Sequence, residues 1–255
     1  MYNDLFTVFG LTVHGYGLMT GLGVVAALLM AWRRSRARGL SDDTATTLVL
    51  LAVIIGYVGS KLFFLLTHFS DFLRDPLGML GSEGFVVYGG LIFGTLACFF
   101  YCRHIKQPFL RWADILLPGV ALAQSLGRIG CFLAGCCYGR PTDSWLGVTF
   151  PPGSMAPSGV KLLPTQLFSS AGDLLICLIL LWIDKKARRD GVVLDLYLIL
   201  YSVGRFLIEF LRDDYRGSVG ALSSSQFIAI FVFAGAALFG LYLYRHPTEE
   251  GKTDE

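Results

Sequence analysis

The sequence predicts an all-α integral membrane protein with seven transmembrane helices, its N-terminus outside and its C-terminus cytoplasmic. Three observations carry that expectation. Apolar residues gather into seven long runs, and basic residues concentrate in alternate loops. Charged residues make up only 16% of the chain, against about a quarter in a soluble domain. Hydrophobic residues account for 54% of the 255 positions, which excludes a disordered chain. A net charge of +2 argues against a nucleic-acid partner. The run lengths argue against a soluble enzyme, because a span needs about 20 mostly apolar residues.

The runs cover 13–32, 44–66, 85–102, 112–133, 165–183, 192–211 and 221–244. The fourth contains Pro118 and Arg128, which a span tolerates where neighbouring helices satisfy its backbone. No internal repeat is evident. No Lys or Arg precedes the first run and no small-residue cleavage site follows it, so that span is expected to remain rather than leave as a signal peptide. The expected organisation is one polytopic domain over 1–255, with an external loop at 138–163 and a polar cytoplasmic tail at 245–255. That loop carries four prolines and is long for a connector, so it either shapes access to the site or is passive.

Orientation follows from the loops. Arg33, Arg34, Arg36, Arg38, Arg103, Lys106, Arg111, Lys185, Lys186, Arg188, Arg189, Arg245 and Lys252 fall on one side. Arg74, Arg140, Lys161, Arg212 and Arg216 fall on the other. The richer side is cytoplasmic by the positive-inside rule.

Lys61, Arg128 and Arg205 remain, all inside spans, where a charge is costly and points to function. With the orientation fixed, Arg128 lies about 24 Å and Arg205 about 20 Å outward from the cytoplasmic start of their spans, at 1.5 Å per residue. Glu209 follows Arg205 by one turn, on the same helix face. Lys61 sits near the outer end of the second span. His14, Tyr16, Tyr88, Thr165 and Gln166 open the inward-running spans at the same level, whereas Gln124 and Asp173 are interior exceptions. Cations at outer headgroup depth suit a phosphate, which Arg grips through a planar fork of donors. An ion pair or a snorkelling arginine is the structural alternative. The residues alone therefore indicate a membrane enzyme or transporter handling an anionic lipid headgroup.

The densest segment is GRIGCFLAGCCYG at 127–139, where Gly127, Gly130, Gly135 and Gly139 allow close backbone approach. Gly89 and Gly90 follow Tyr88 at the outer start of the third span, and LPTQLF at 163–168 places Pro164 at a helix start. Small-residue helix packing is the alternative reading of the glycines at 127–139. Cys98, Cys102 and Cys177 read as apolar filler. The group Cys131, Cys136 and Cys137 leaves three readings open: packing, a disulfide at an oxidising face, or a metal-binding or reactive site. A metal site would want more ligands at closer spacing, and no His is nearby in sequence, so no metal or organic cofactor is expected.

Together these segments resemble the bacterial prolipoprotein diacylglyceryl transferases over nearly the whole chain. HGYGLM at 14–19 is similar to the family's YGLM-type opening motif, and VYGGLIFG at 87–94 to its HGGLIG-type motif. Residues 127–139 resemble the signature GR-x-GN-F-x-N-x-E-x-x-G. LPTQLF resembles HP[ST]QLYE, and RFLIEFLR at 205–212 resembles R-x-x-x-E-x-x-R. The resemblance implies transfer of the diacylglyceryl group of phosphatidylglycerol to the lipobox cysteine of a prolipoprotein, with a thioether formed and glycerol phosphate released. It implies a bacterial cytoplasmic (inner) membrane location, with the site toward the periplasmic face, and membrane lipid and the prolipoprotein signal peptide as partners. Carried over by position, Arg128 and Arg205 are the essential arginines, and Tyr16, Gly139 and Glu209 match functional positions. Lys61, Gly89, Gly90 and Gln166 join the expected substrate-binding set.

The chain departs from the pattern at several positions. Cys131, Ala134 and Cys136 stand where the signature has Asn, Asn and Glu. Tyr88 and Leu163 stand at family histidines, and Ser169 at a family Glu. Tyr88 is accordingly expected to orient or accept the proton while the arginines stabilise the departing phosphate. The alternatives are a paralogue with a different acceptor and a non-enzymatic phospholipid carrier. A carrier would want polar lining on both halves of the bundle or a repeat.

Overall fold

The computed structural model describes residues 4–8, 11–82, 84–187, 189–214, 217–220 and 222–246. Arg188, Arg216, Lys252 and residues 247–255 of the predicted tail lie outside the described residues. In chain order the elements are β1 (Asp4–Val8), β2 (Leu11–His14), α1 (Gly15–Ala37), α2 (Asp42–Thr67), α3 (Phe69–Arg74), α4 (Pro76–Gly81), α5 (Val87–His104) and α6 (Phe109–Ala134). There follow β3 (Val148–Thr149), β4 (Lys161–Leu162), α7 (Thr165–Asp184), α8 (Val192–Glu209), β5 (Ser218–Val219), β6 (Leu222–Ser223) and α9 (Ser224–Arg245). Each pair of consecutive strands forms a two-stranded antiparallel hairpin.

All seven apolar runs are helices, within a few residues of the expected bounds. Among the described residues, α1, α2, α6, α7 and α9 are long and apolar enough to cross a membrane. The other two long helices have 18 residues each. α5 closes on Arg103 and His104, and α8 carries Asp195, Arg205 and Glu209, which lowers their apolarity. The N-terminal hairpin and the short helices α3 and α4 lie outside the apolar runs and had no counterpart in the expectation.

Local chemistry sets the helix ends. Ser41 accepts a hydrogen bond from the Thr44 backbone N–H to start α2, with Asp42 and Asp43 in the first turn. Ser223 and Gln226 form a capping box on α9. The α8 start is capped from a distance: the Asp114 carboxylate accepts from the N–H groups of Gly191 at 2.7 Å and Leu194 at 2.8 Å. A carboxylate at a helix N-terminus is also favoured by the helix dipole. Gly191 takes a φ of 97°, a conformation open to glycine.

The chain divides into two compact units, residues 1–30 with 113–255 and residues 31–112. In the second unit α2 and α5 pack through small residues, the spacing that lets backbones approach without side chains between them. A Cβ on Gly94 would lie 3.1 Å from the Ala52 carbonyl oxygen, and one on Gly89 only 2.4 Å from that of Gly59. In the first unit α1 meets α6 the same way, with Gly23 against Ala123 and Gly119 against Ala27. Ser125 and Ser170 each donate to the other's carbonyl at 2.9 Å, joining α6 to α7. Ile176, Cys177, Leu180, Val193 and Tyr197 form the apolar core between α7 and α8. The segment 138–163 has its own small core: Phe150, Ala156 and Leu162 are buried, with Phe132 and Tyr138 against them.

Candidate active site

Arg128 of α6 and Arg205 of α8 line one cavity of about 220 Å³. Helical spacing explains the rest of its wall. Ser169, Gly172, Asp173 and Ile176 recur along one face of α7, and Tyr201, Gly204, Arg205 and Ile208 along one face of α8. Most of the lining is apolar, so the charged groups act at low dielectric, where a hydrogen bond to an ion is strengthened.

The charged groups pair in order. Arg128 Nε lies 4.0 Å from Asp173 Oδ2. Arg205 donates from Nη2 to Ser225 Oγ at 2.6 Å, so α9 fixes one edge of its fork. Its Nη1 lies 2.6 Å from Glu209 Oε2, one turn on. That contact is an ion pair without hydrogen-bond alignment, and both atoms are buried with no hydrogen-bond partner among the described residues. The carboxylate 2.6 Å away therefore holds this edge of the guanidinium by charge. Arg212 reaches Glu209 Oε2 at 3.8 Å from its Nε. It also holds Asp214 through two bonds of 2.9 and 2.6 Å, with its side chain only 3% exposed.

The signature segment frames this cavity. Gly130 lies against the start of α1: a Cβ there would meet the Tyr16 Cα and carbonyl oxygen at 3.2 Å. The Tyr16 side chain is within electrostatic reach of Arg128 and of Cys131, Cys136 and Cys137. After α6 the chain turns through Gly135, at φ 74°, and Cys137, at φ 62°. α7 grips that turn, with Thr165 Oγ1 donating to the Cys137 carbonyl at 2.9 Å and Gln166 Nε2 to that of Cys136 at 2.7 Å. Gln166 thus positions the signature backbone. Gly139 is stitched between two strands of chain: its N–H donates to Leu163 O at 2.9 Å, and it bridges to Arg212. A Cβ at Gly139 would sit 2.7 Å from the carbonyl oxygens of both Leu163 and Leu211, so only glycine brings Arg212 this close.

The three thiols of the signature converge, their sulfurs all within 4.8 Å of one another, and none is joined in a disulfide among the described residues. Contacts from Cys131 and Cys137, together with burial, push the Cys136 thiol far up from its ordinary range.

The remaining expected site residues belong to the second unit. Lys61 Nζ donates to the Ser82 carbonyl at 2.5 Å, to its hydroxyl at 3.1 Å and to the Gly84 carbonyl at 3.5 Å. It also lies 5.2 and 5.1 Å from the ring centres of Phe64 and Phe85. Its donors are therefore engaged by the turn that leads into α5. Gly89 and Gly90 face the α2 backbone. Tyr88, in the first turn of α5, is 37% exposed.

Sequence reasoning missed Asp173 and Tyr201 as cavity residues and Ser225 as the partner of Arg205, and it had Arg212 only as a loop cation and as the last position of the RFLIEFLR motif. The signal for Asp173 was present: it is an ionisable residue inside an apolar run. Tyr201 stands one turn before Arg205 on the same face.

Known proteins resemble this chain along its length. A family model described as prolipoprotein diacylglyceryl transferase matches residues 3–242. A Clostridium perfringens protein named phosphatidylglycerol–prolipoprotein diacylglyceryl transferase 2 is 43% identical, over 97% of this chain and 96% of the relative. A Clostridium tetani protein named phosphatidylglycerol–prolipoprotein diacylglyceryl transferase is also 43% identical, over 94% and 98%. One of the same name from Dehalococcoides mccartyi is 33% identical, over 97% and 95%. With the signature arginine, the Arg205–Glu209–Arg212 series and a family match over nearly every residue, the chain belongs to the prolipoprotein diacylglyceryl transferase family.

Proposed function

We propose that this chain is an enzyme that transfers the diacylglyceryl group of phosphatidylglycerol to the lipobox cysteine thiol of prolipoproteins. Two full-length relatives at 43% identity bear the name of that activity. The observation that carries the reading is the shared cavity, where Arg128 and Arg205 face one space. Two guanidinium groups there suit the phosphodiester of an anionic lipid.

The reaction follows from the bonds involved. The acceptor thiol loses its proton, and the thiolate attacks the glyceryl carbon that bears the phosphate ester. That carbon–oxygen bond breaks, a carbon–sulfur bond forms, and the electron pair leaves on glycerol phosphate. The phosphate passes from one negative charge to two, so donors aimed at it bind the transition state more tightly than the lipid. Arg128 and Arg205 take that role. Tyr88 orients the thiol or accepts its proton. Tyr16, Gly139 and Glu209 complete the site, Glu209 by holding Arg205 in place. Gln166 holds the signature backbone, and Lys61, Gly89 and Gly90 order the ends of α2 and α5.

Seven spans cross the bacterial inner membrane, with the N-terminus outside and the cavity toward the outer leaflet. The five long apolar helices and the one-sided distribution of loop cations support that topology. At 18 residues, α5 and α8 reach about 27 Å, enough for a thin or locally satisfied crossing.

The test is reconstitution in phosphatidylglycerol vesicles with a peptide bearing a lipobox cysteine. The expected products are a peptide heavier by one diacylglyceryl group and an equal amount of glycerol phosphate. Lipid bound or moved between leaflets with neither product formed would favour a carrier. Glycerol phosphate formed without modified peptide would favour another acceptor. In the same assay Tyr88→Phe is expected to slow transfer, and full activity in that variant removes Tyr88 from the reaction.

A further inference from the structure

We propose that Cys131, Cys136 and Cys137 form a binding site for one thiophilic d10 metal ion, Zn²⁺ or Cu(I), held by three thiolates. In sequence these residues lack the spacing of a metal motif. The fold supplies what the spacing lacks. Cys131 lies in the last turn of α6, and the chain then reverses through Gly135 at φ 74°. Cys137 follows at φ 62°, a left-handed conformation that non-glycine residues rarely adopt. The strained turn carries Cys136 and Cys137 back over Cys131, with all three sulfurs inside 4.8 Å.

The distances fit the ion. Zinc–sulfur bonds of about 2.3 Å in a tetrahedron put the sulfurs about 3.8 Å apart, so a contraction of about 1 Å closes the site. Three cysteines leave a fourth position for water, and a thiolate set selects Zn²⁺ or Cu(I) over harder cations. Charge also fits. Three thiolates and Zn²⁺ sum to one negative charge, and Arg128 is an electrostatic neighbour of Cys131 and Cys137. Each thiol releases its proton to solvent as it binds.

The site has a mechanical consequence. α7 holds the same turn from its carbonyl side, through Thr165 and Gln166. A metal holds it from the sulfur side and so fixes the segment between Arg128 and Gly139.

The experiment is metal titration of the purified full-length protein in detergent, followed by native mass spectrometry and by competition with a chromophoric chelator. The expected result is one equivalent of Zn²⁺ or Cu(I) per chain, a preference for either identifying the ion. C131S, C136S and C137S should each weaken binding by more than the about 10–100-fold that losing an outer-shell partner costs. C98S and C177S should leave it unchanged. Thiol labelling of the unmutated protein guards against variants that misfold: loading with Zn²⁺ or Cu(I) should protect three cysteines, and chelation should expose them. Absence of saturable binding, binding undiminished in all three variants, or labelling indifferent to metal overturns the proposal.

Discussion

Arg128→Gln is expected to lower diacylglyceryl transfer by about 10²–10³-fold, the loss seen when one preorganised donor to a developing anion is removed. Glutamine keeps an N–H donor but loses the charge and the fork. The departing phosphate gains its second charge in an apolar cavity, where that loss is felt most. The substitution also leaves Asp173 without the cation 4.0 Å away. An uncompensated buried carboxylate is itself destabilising. The double variant Arg128→Gln with Asp173→Asn separates the two effects. It should recover thermal stability and remain as inactive as the single variant, measured by the initial rate of glycerol phosphate release. If the double variant regains transfer, Arg128 serves only to neutralise Asp173.

Arg205→Lys should cost about 10²-fold by the same measure of donor loss, although it conserves charge. An ammonium is a point charge on a flexible stem, and it cannot reach Ser225 and the cavity at once as the guanidinium does. The edge of the fork that meets Glu209, Nη1, disappears with it. Ser225→Ala should give a smaller loss, because the fork survives and only its orientation is relaxed. A lysine variant with more than half the original rate would mean that charge alone suffices.

Apolar runs separated by basic turns located every long helix, because burial in lipid leaves few alternatives to a continuous helix. That Arg128 and Arg205 stand at similar heights on their helices was also readable, since rise per residue converts helix position into height, and the two line one cavity. Which faces meet was harder. Asp173 looked like an isolated exception until α7 turned it toward Arg128. Gly89 and Gly90 looked like binding residues beside Tyr88, and their contacts are with α2. Sequence alone does not distinguish a glycine that admits a ligand from one that admits a neighbouring helix. The cysteine cluster depends on positive φ angles at Gly135 and Cys137, and nothing in the order of residues announces a left-handed cysteine. The hairpin of β1 and β2 was missed because attention went to long apolar runs.

The three ionised residues of α8 bear on how the protein is made. An ionised side chain inside a span opposes release from the translocon into lipid by up to about 3 kcal/mol. Ser225, which meets Arg205, and Gly240, which meets Asp195, both belong to α9, the next helix to leave the ribosome. On the proposed seven-span topology, nascent α8 would therefore wait at the channel for its successor, and the two would enter the bilayer as a hairpin. A stop codon in the β5–β6 turn would strand α8 with its charges bare, a species that quality-control proteases would clear before any enzyme could form.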